Sequence, residues 1–297
     1  TANITAKALT VSGITASNKI YDGNTTATLN TGSVTYNGLI AGDVFDGIYT
    51  GTFSDKNVET GKIVTINTIY NGIDVGNYSV TNQSTATGNI VPKTLTATAS
   101  ASNKVYDGDN TATTTLTLSG LIGSETLDAT NNTSTFNNKN VGSNKTVTVN
   151  SITLQDGSGD ADNYSISAGQ TTTANITAKA LTVSGITASN KTYDGNTVAT
   201  LNTGGVTYTG LVGSDVFNGT YTGAFSDKNV GTGKTVTITP SYTGADVGNY
   251  SVNNHADVTA DITAKALTVS GITASNKTYD GNTVATLNTG GVTYTGL

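Results

Sequence analysis

The chain has no cysteine, no methionine, no tryptophan and no arginine, and only two prolines in 297 residues. Without cysteine there is no disulfide framework, no thiolate nucleophile and no zinc knuckle. That absence fits an extracellular domain with a sufficient core as well as a cytosolic one. Without arginine, and with a net charge of −6, the chain lacks the basic stripe that displaces counterions from nucleic acid. No apolar run reaches the length of a membrane helix or a signal segment, and no basic amphipathic segment marks a membrane surface. Charged residues make 11 % of the chain, against about 25 % in an ordinary soluble domain. The surface must therefore be covered by Thr, Asn, Ser and Gly. Hydrophobic residues make 35 %, and glycine brings the apolar share into the ordinary range of about 45–50 %, enough to build cores.

One period organises what is present. "KALT" begins at Lys7, Lys179 and Lys265 and "KTLT" at Lys93, so that successive starts lie 86 residues apart. Tyr78, Tyr164 and Tyr250, each closing a "GNY" or "DNY", keep the same spacing. Between them stand "DKNVETGK" at Asp55–Lys62, "NKNVGSNK" at Asn138–Lys145 and "DKNVGTGK" at Asp227–Lys234. The frame is a tail of a preceding copy (1–6), three repeats (7–92, 93–178 and 179–264) and the start of a fourth (265–297). The last segment is identical to Lys179–Leu211, and Thr1–Ala6 matches Thr173–Ala178. With the missing methionine, this predicts a piece of a longer array.

Within a repeat, "ALTVSGIT" and "KTVTIT" alternate apolar and hydroxyl residues and are rich in β-branched side chains, the pattern of strands. Gly and Asn clusters interrupt them as turns, and no segment carries a helical stripe. The reading is all-β, with six to eight short strands per copy. A repeat of 86 residues is close in size to an immunoglobulin-like sandwich of about 100 residues. The junction "NITAKALT" has no flexible spacer, so tandem immunoglobulin-like β-sandwich domains arranged end to end are expected. Three such domains of about 35–40 Å, from strands of roughly ten residues at about 3.3 Å each, would give a rod near ~110 Å.

The most repeated signature is Tyr-Asp-Gly: Tyr21, Asp22 and Gly23; Tyr106, Asp107 and Gly108; Tyr193, Asp194 and Gly195; Tyr279, Asp280 and Gly281. Asp-Gly is a turn signal, because Gly accepts positive φ and the Asp side chain bonds nearby amides. A tyrosine before the turn fills much of a small core, and its hydroxyl needs a partner that a nearby turn can supply. An Asp base beside Tyr would need a nucleophile, metal or second carboxylate, and the segment has none. The four copies read as a structural motif, with no catalytic, cofactor or metal-binding residue. His255 is the only histidine, and the second repeat has none in its place, so triad chemistry has no support. "DGSGDADN" at Asp156–Asn163 spaces oxygen side chains like a calcium loop but has Ser167 where a bidentate Glu belongs. Lys179, Lys191, Lys228 and Lys234 stand at recurring positions, where snorkelling surface lysines are favoured over Lys–Asn crosslinks. The sequons at Asn3, Asn24, Asn77, Asn163, Asn175 and Asn249 follow from an Asn/Thr-rich composition.

"NITAKALTVSGITASNKTYDGNTVATL", "SDKNVGTGKTVTI" and "ADVGNYS" together resemble the YDG-type repeat modules of large bacterial surface exoproteins, the filamentous-haemagglutinin-like adhesins. The second copy departs most, with "SNKVYDGDN" and Leu118 where the others have Tyr36 and Tyr208. The resemblance implies an extracellular, β-rich, tandem-domain stalk at a bacterial surface, with no enzyme activity, no cofactor and no defined binding residue. The partners expected are neighbouring repeats of the same chain, with host or matrix glycans or like filaments in the rival readings, and neither nucleic acid nor membrane insertion. Those rivals are a glycan- or ice-surface-binding module and a self-assembling filament.

Overall fold

The computed structural model describes residues 1–297, and the side chains of all of them except Asn131 and Asn132. Among the described residues, helix is limited to single 3-10 turns, and the architecture is all-β in three tandem repeats. In the first repeat the strands are β1 (Lys7–Ser12), β2 (Thr15–Ala16), β3 (Lys19–Ile20), β4 (Thr26–Ala27), β5 (Leu29–Asn30), β6 (Thr35–Asn37), β7 (Asp46–Phe53), β8 (Glu59–Asn71), β9 (Tyr78–Thr81) and β10 (Thr85–Val91). They form a three-stranded sheet β6-β1-β9, a five-stranded sheet β3-β10-β8-β7-β4 and a small β2-β5 pair. The third repeat reproduces all three sheets.

Period-two patterning places the core. Along β8, Lys62, Val64 and Ile66 point inward, while Ile63, Thr65 and Asn67 face solvent. Leu9 and Val11 of β1 meet Ile66, Phe45 and Tyr78 in one buried cluster. Phe45 is ringed by Tyr36, Tyr70 and Tyr78, with centroids 5.3, 4.9 and 5.7 Å away. Phe217 sits equivalently among Tyr208, Tyr242 and Tyr250. In the second repeat Leu118, Leu127 and Leu154 take these places.

The immunoglobulin-like detail is met only in part. That sandwich is built of antiparallel sheets, whereas here β1 runs parallel to β9, and β3 parallel to β10. Among the described residues the second repeat has eight strands, within the expected six to eight, while the first and third have ten, because residue pairs such as β2 and β5 form strands too short to read from alternation. One residue, Pro92 or Ala178, separates the last strand of one repeat from the first of the next.

By spatial contact the chain divides into two compact units: Thr1–Lys104 with Asn110–Asn138 and Ser143–Asn175, and Ile176–Leu297 with Val105–Asp109 and Lys139–Gly142. The division cuts through the second repeat. Its YDG loop and its "KNVG" turn group with the third repeat.

Candidate functional site: the joint between repeats

Each YDG loop is built locally. Asp22 accepts a hydrogen bond from the Asn24 amide at 3.1 Å, and Asp107, Asp194 and Asp280 accept from Asp109, Asn196 and Asn282 at 3.2, 3.1 and 3.2 Å. The preceding lysine closes the turn: Lys19 lies 2.6 Å from Asp22, and Lys191 and Lys277 lie 2.7 Å from Asp194 and Asp280. Gly23, Gly108, Gly195 and Gly281 all have positive φ, between 74° and 92°, where other residues are strained. The backbone amides of Tyr21, Tyr106 and Tyr193 each donate to the last strand of their own repeat, at Val91, Thr177 and Thr263, 2.9 Å in each case.

The side chains leave that repeat. Tyr21 is 1 % exposed, and its hydroxyl donates to Glu125 Oε1 of the second repeat at 2.7 Å. Tyr164 donates to the other oxygen, Oε2, at 2.6 Å, and Lys56 Nζ donates to Oε1 at 2.9 Å. The rings of Tyr21 and Tyr164 meet edge to face at 5.3 Å, and Lys56 lies over the Tyr21 ring. Beside them the Val58 amide donates to Asn163 Oδ1 at 2.7 Å, while Asn163 Nδ2 donates to Asn57 Oδ1 at 3.1 Å. The hydroxyl partner foreseen in a nearby turn is therefore 104 residues away.

The second and third repeats meet in the same way. Tyr106, also 1 % exposed, donates to Asp215 at 2.8 Å. Tyr250 donates to the same carboxylate, and Lys139 reaches it at 3.2 Å and Asp246 at 3.3 Å. The rings of Tyr106 and Tyr250 lie edge to face at 5.6 Å. The Val141 amide donates to Asn249 Oδ1 at 3.0 Å. Three motifs thus converge: "YDG" and "KNV" from one repeat, and an acid with "NY" from the next.

Electrostatics hold the acids ionised and the phenols neutral. Burial pushes Glu125 up, but hydrogen bonds from Tyr164, Tyr21 and Lys56 outweigh it and hold the carboxyl below its usual range. Asp215 is lowered against burial by Tyr250, Tyr106 and Lys139. Burial, then the hydrogen bond to Glu125, pushes Tyr164 up to about 12, and Tyr250 rises to about 12 by burial and Asp215. Lys56 is raised by its hydrogen bond to Glu125, and Lys139 by Tyr106 and Asp215. The site has the chemistry of a clamp, with every polar group matched to a partner.

The remaining motif tyrosines lie outside a closed joint. The fourth segment stops short of the position equivalent to Asp215. There Tyr193 is half-buried, Val230 is 55 % exposed and Tyr279 is 93 % exposed.

A family model described as the YDG domain matches residues 5–87, 91–174 and 177–260. The chain belongs to the YDG domain family. A comparison with curated proteins gives no match.

In these YDG domains the sequence reading found the turn and missed its partners. Glu125 occupies the same place in "LIGSE" as Asp43 in "LIAGD" and Asp215 in "LVGSD", a signal hidden by the change of acid. Two lysines depart from the surface reading: Lys62 and Lys145 are buried, each 2.6 Å from Asp55 or Asn138. Asp156 and Asp160 of the calcium-like loop accept bonds from the Ala161 and Asp162 amides at 2.7 and 3.0 Å. Among the described residues no group of three His, Cys, Asp or Glu side chains is placed to hold a metal. His255 Nδ1 contacts the Ala256 carbonyl at 2.6 Å.

Proposed function

We propose that this YDG array is a non-enzymatic structural stalk of a secreted or cell-surface bacterial adhesin or matrix fibre, spacing a binding tip from the cell. The observation that carries the reading is the joint. At the two closed joints Tyr21 and Tyr106 are committed to the neighbouring repeat, which couples the repeats to each other and leaves these side chains unavailable to a substrate. A surface of Thr, Asn, Ser and Gly with few charges suits a weakly interacting extracellular spacer. The test is replacement of the array, in the full-length protein, by an unrelated rigid spacer of matched length. Retained adhesion supports the stalk; adhesion lost despite normal export and matched length rules it out.

A second reading has one observation in its favour. Thr235, Thr237 and Thr239 are all exposed on one strand, and Thr239 pairs with the exposed Thr222 of the neighbouring strand. Such a hydroxyl grid would suit a glycan or an ice surface. Threonine is also a good strand former in its own right. A glycan array and an ice-recrystallisation assay separate the two readings.

A further inference from the structure

Each complete repeat opens on a strand in a parallel ladder. In the first, β1 runs parallel to β9 through four pairs, from Lys7–Tyr78 to Thr10–Thr81. In the third, Lys179–Ser184 runs parallel to Tyr250–Asn253 through four pairs, from Lys179–Tyr250 to Thr182–Asn253. In the second only Lys93–Tyr164 and Thr94–Ser165 pair this way, and the Leu95 amide adds a bond to Ser165 at 2.8 Å. The strand that leaves the repeat is tied likewise. β10 runs parallel to β3, and Val258–Thr263 runs parallel to Lys191–Thr192. The bonds from the Tyr21 amide to Val91 and from the Tyr193 amide to Thr263 lengthen these pairings.

Tension along the chain meets this arrangement in one way. A pull from the N-terminal side drags β1 backwards at Lys7. A pull from the C-terminal side draws β10 forwards at Val91, and with it β9, which ends three residues before β10 begins. Because β1 and β9 point the same way, the two pulls slide one strand along the other. The evenly spaced bonds of a parallel ladder then bear the load together. An antiparallel pair pulled at its open end would lose its bonds one at a time. Leu9 and Val11 plug β1 into the core, each no more than 2 % exposed, and oppose the same sliding. Only Pro92 or Ala178 separates successive repeats, so no slack linker absorbs the load.

We propose that each repeat is a tension-bearing module whose terminal parallel strands form a shear lock. The number of paired residues sets the strength of the lock, so the second repeat, with the shortest ladder, yields first. It is the extensible element of the array and lengthens before its neighbours open. The source of the load rests on the stalk reading, but the lock does not. A failed pulling test would leave the spacer replacement untouched, and adhesion lost in that replacement would leave the rupture forces unchanged.

Single-molecule pulling of the full chain tests the lock, and the lack of native cysteine lets introduced cysteines set the axis. Handles on the two chain ends load the ladders along their strands. Handles on Asn37→Cys and Thr81→Cys, exposed residues that flank Thr10 on either side, load the β1–β9 ladder crosswise. At equal loading rate, where rupture follows the unfolding rate, each event of the end pull that releases about one repeat should need more force than the crosswise opening. Equal or lower force along the strands overturns the proposal. A second pair, Thr94→Cys with Ser165→Cys, places thiols on one exposed rung of the second repeat, 71 positions apart. Once that pair is oxidised, with closure checked by loss of free thiol, the lowest-force event of the reduced chain should shorten by about 235–255 Å, at about 3.3–3.6 Å per residue. If that event keeps its full length, another repeat yields first and the proposal is overturned.

Discussion

The joint between the first and second repeats closes on a glutamate, and the joint between the second and third closes on an aspartate. In the first, Lys56 pairs with Glu125, and the nearby Asp160 is spent on capping its own turn. In the second, Lys139 bridges two acids, Asp215 and Asp246. The tyrosine–acid–tyrosine core is the same in both. An acid between two buried phenols is thus the fixed requirement, because a buried carboxylate needs donors for its lone pairs. The lysine stays half-exposed and its partners vary.

The largest effect should come from deleting the ring. Tyr21→Ala or Tyr106→Ala should cost about 3–5 kcal/mol, the usual range for a buried aromatic, measured by urea unfolding. Tyr279→Ala should stay within about 0.5 kcal/mol, as exposed positions do. Equal losses at Tyr21 and Tyr279 would remove the distinction between docked and free loops.

Glycine gives a finer comparison. Gly23→Ala and Gly195→Ala both force a side chain into positive φ, at about 1–3 kcal/mol. A Cβ on Gly23 would also sit 2.8 Å from Ile122 Cγ2, whereas nothing lies within 4 Å of one on Gly195. Gly23→Ala should therefore be the more damaging. Equal melting temperatures would mean that the neighbouring repeat does not press on the loop.

The joints should also loosen at both ends of the pH scale. Glu125 and Asp215 are lowered in the folded chain, so their contribution is present above the ordinary carboxylate range and is lost as pH falls through it. Tyr164 and Tyr250 are raised to about 12, so theirs is present below about pH 10, the ordinary tyrosine value, and fades as pH rises toward 12. Hydrogen exchange at the Ile122 and Val212 amides should quicken at low pH, after correction for intrinsic rates. Protection that is flat from neutral pH to below the carboxylate range would contradict this assignment.

The smallest effect should be at the lysines. Lys56→Ala should lower the melting temperature only slightly, because a solvated ion pair is screened by water. Lys139→Ala should cost more than Lys56→Ala, since it leaves two acids facing each other. The reverse order, by thermal unfolding, would show that the second acid is irrelevant.

Much of the fold was legible because it is local and periodic. The 86-residue spacing, the strand alternation in "KTVTIT" and the Asp-Gly turn at Gly195 each follow from neighbouring residues. The parallel pairing of β1 with β9 was not, because nothing in Lys7–Ser12 specifies a partner some 70 residues away. The candidate site was half legible. The tyrosine and its turn announced themselves, but the acid that receives Tyr21 lies in another repeat and changes from Asp to Glu. Three motifs recurring in the same order carried the clue: "YDG", "KNV" and "NY" in every repeat are what a contact made at each junction requires.

The central claim is that the YDG tyrosine couples one repeat to the next, and a double-mutant cycle on the full chain tests it most directly. Tyr21→Phe, Glu125→Gln and the pair should be compared by equilibrium unfolding. Residues in direct contact show interaction energies of about 0.5–3 kcal/mol, while independent sites add within about 0.3–0.5 kcal/mol. The account predicts a coupling above 1 kcal/mol, roughly one charge-assisted hydrogen bond. Strict additivity between Tyr21 and Glu125 would show that the hydroxyl and the carboxylate do not meet, and would contradict it.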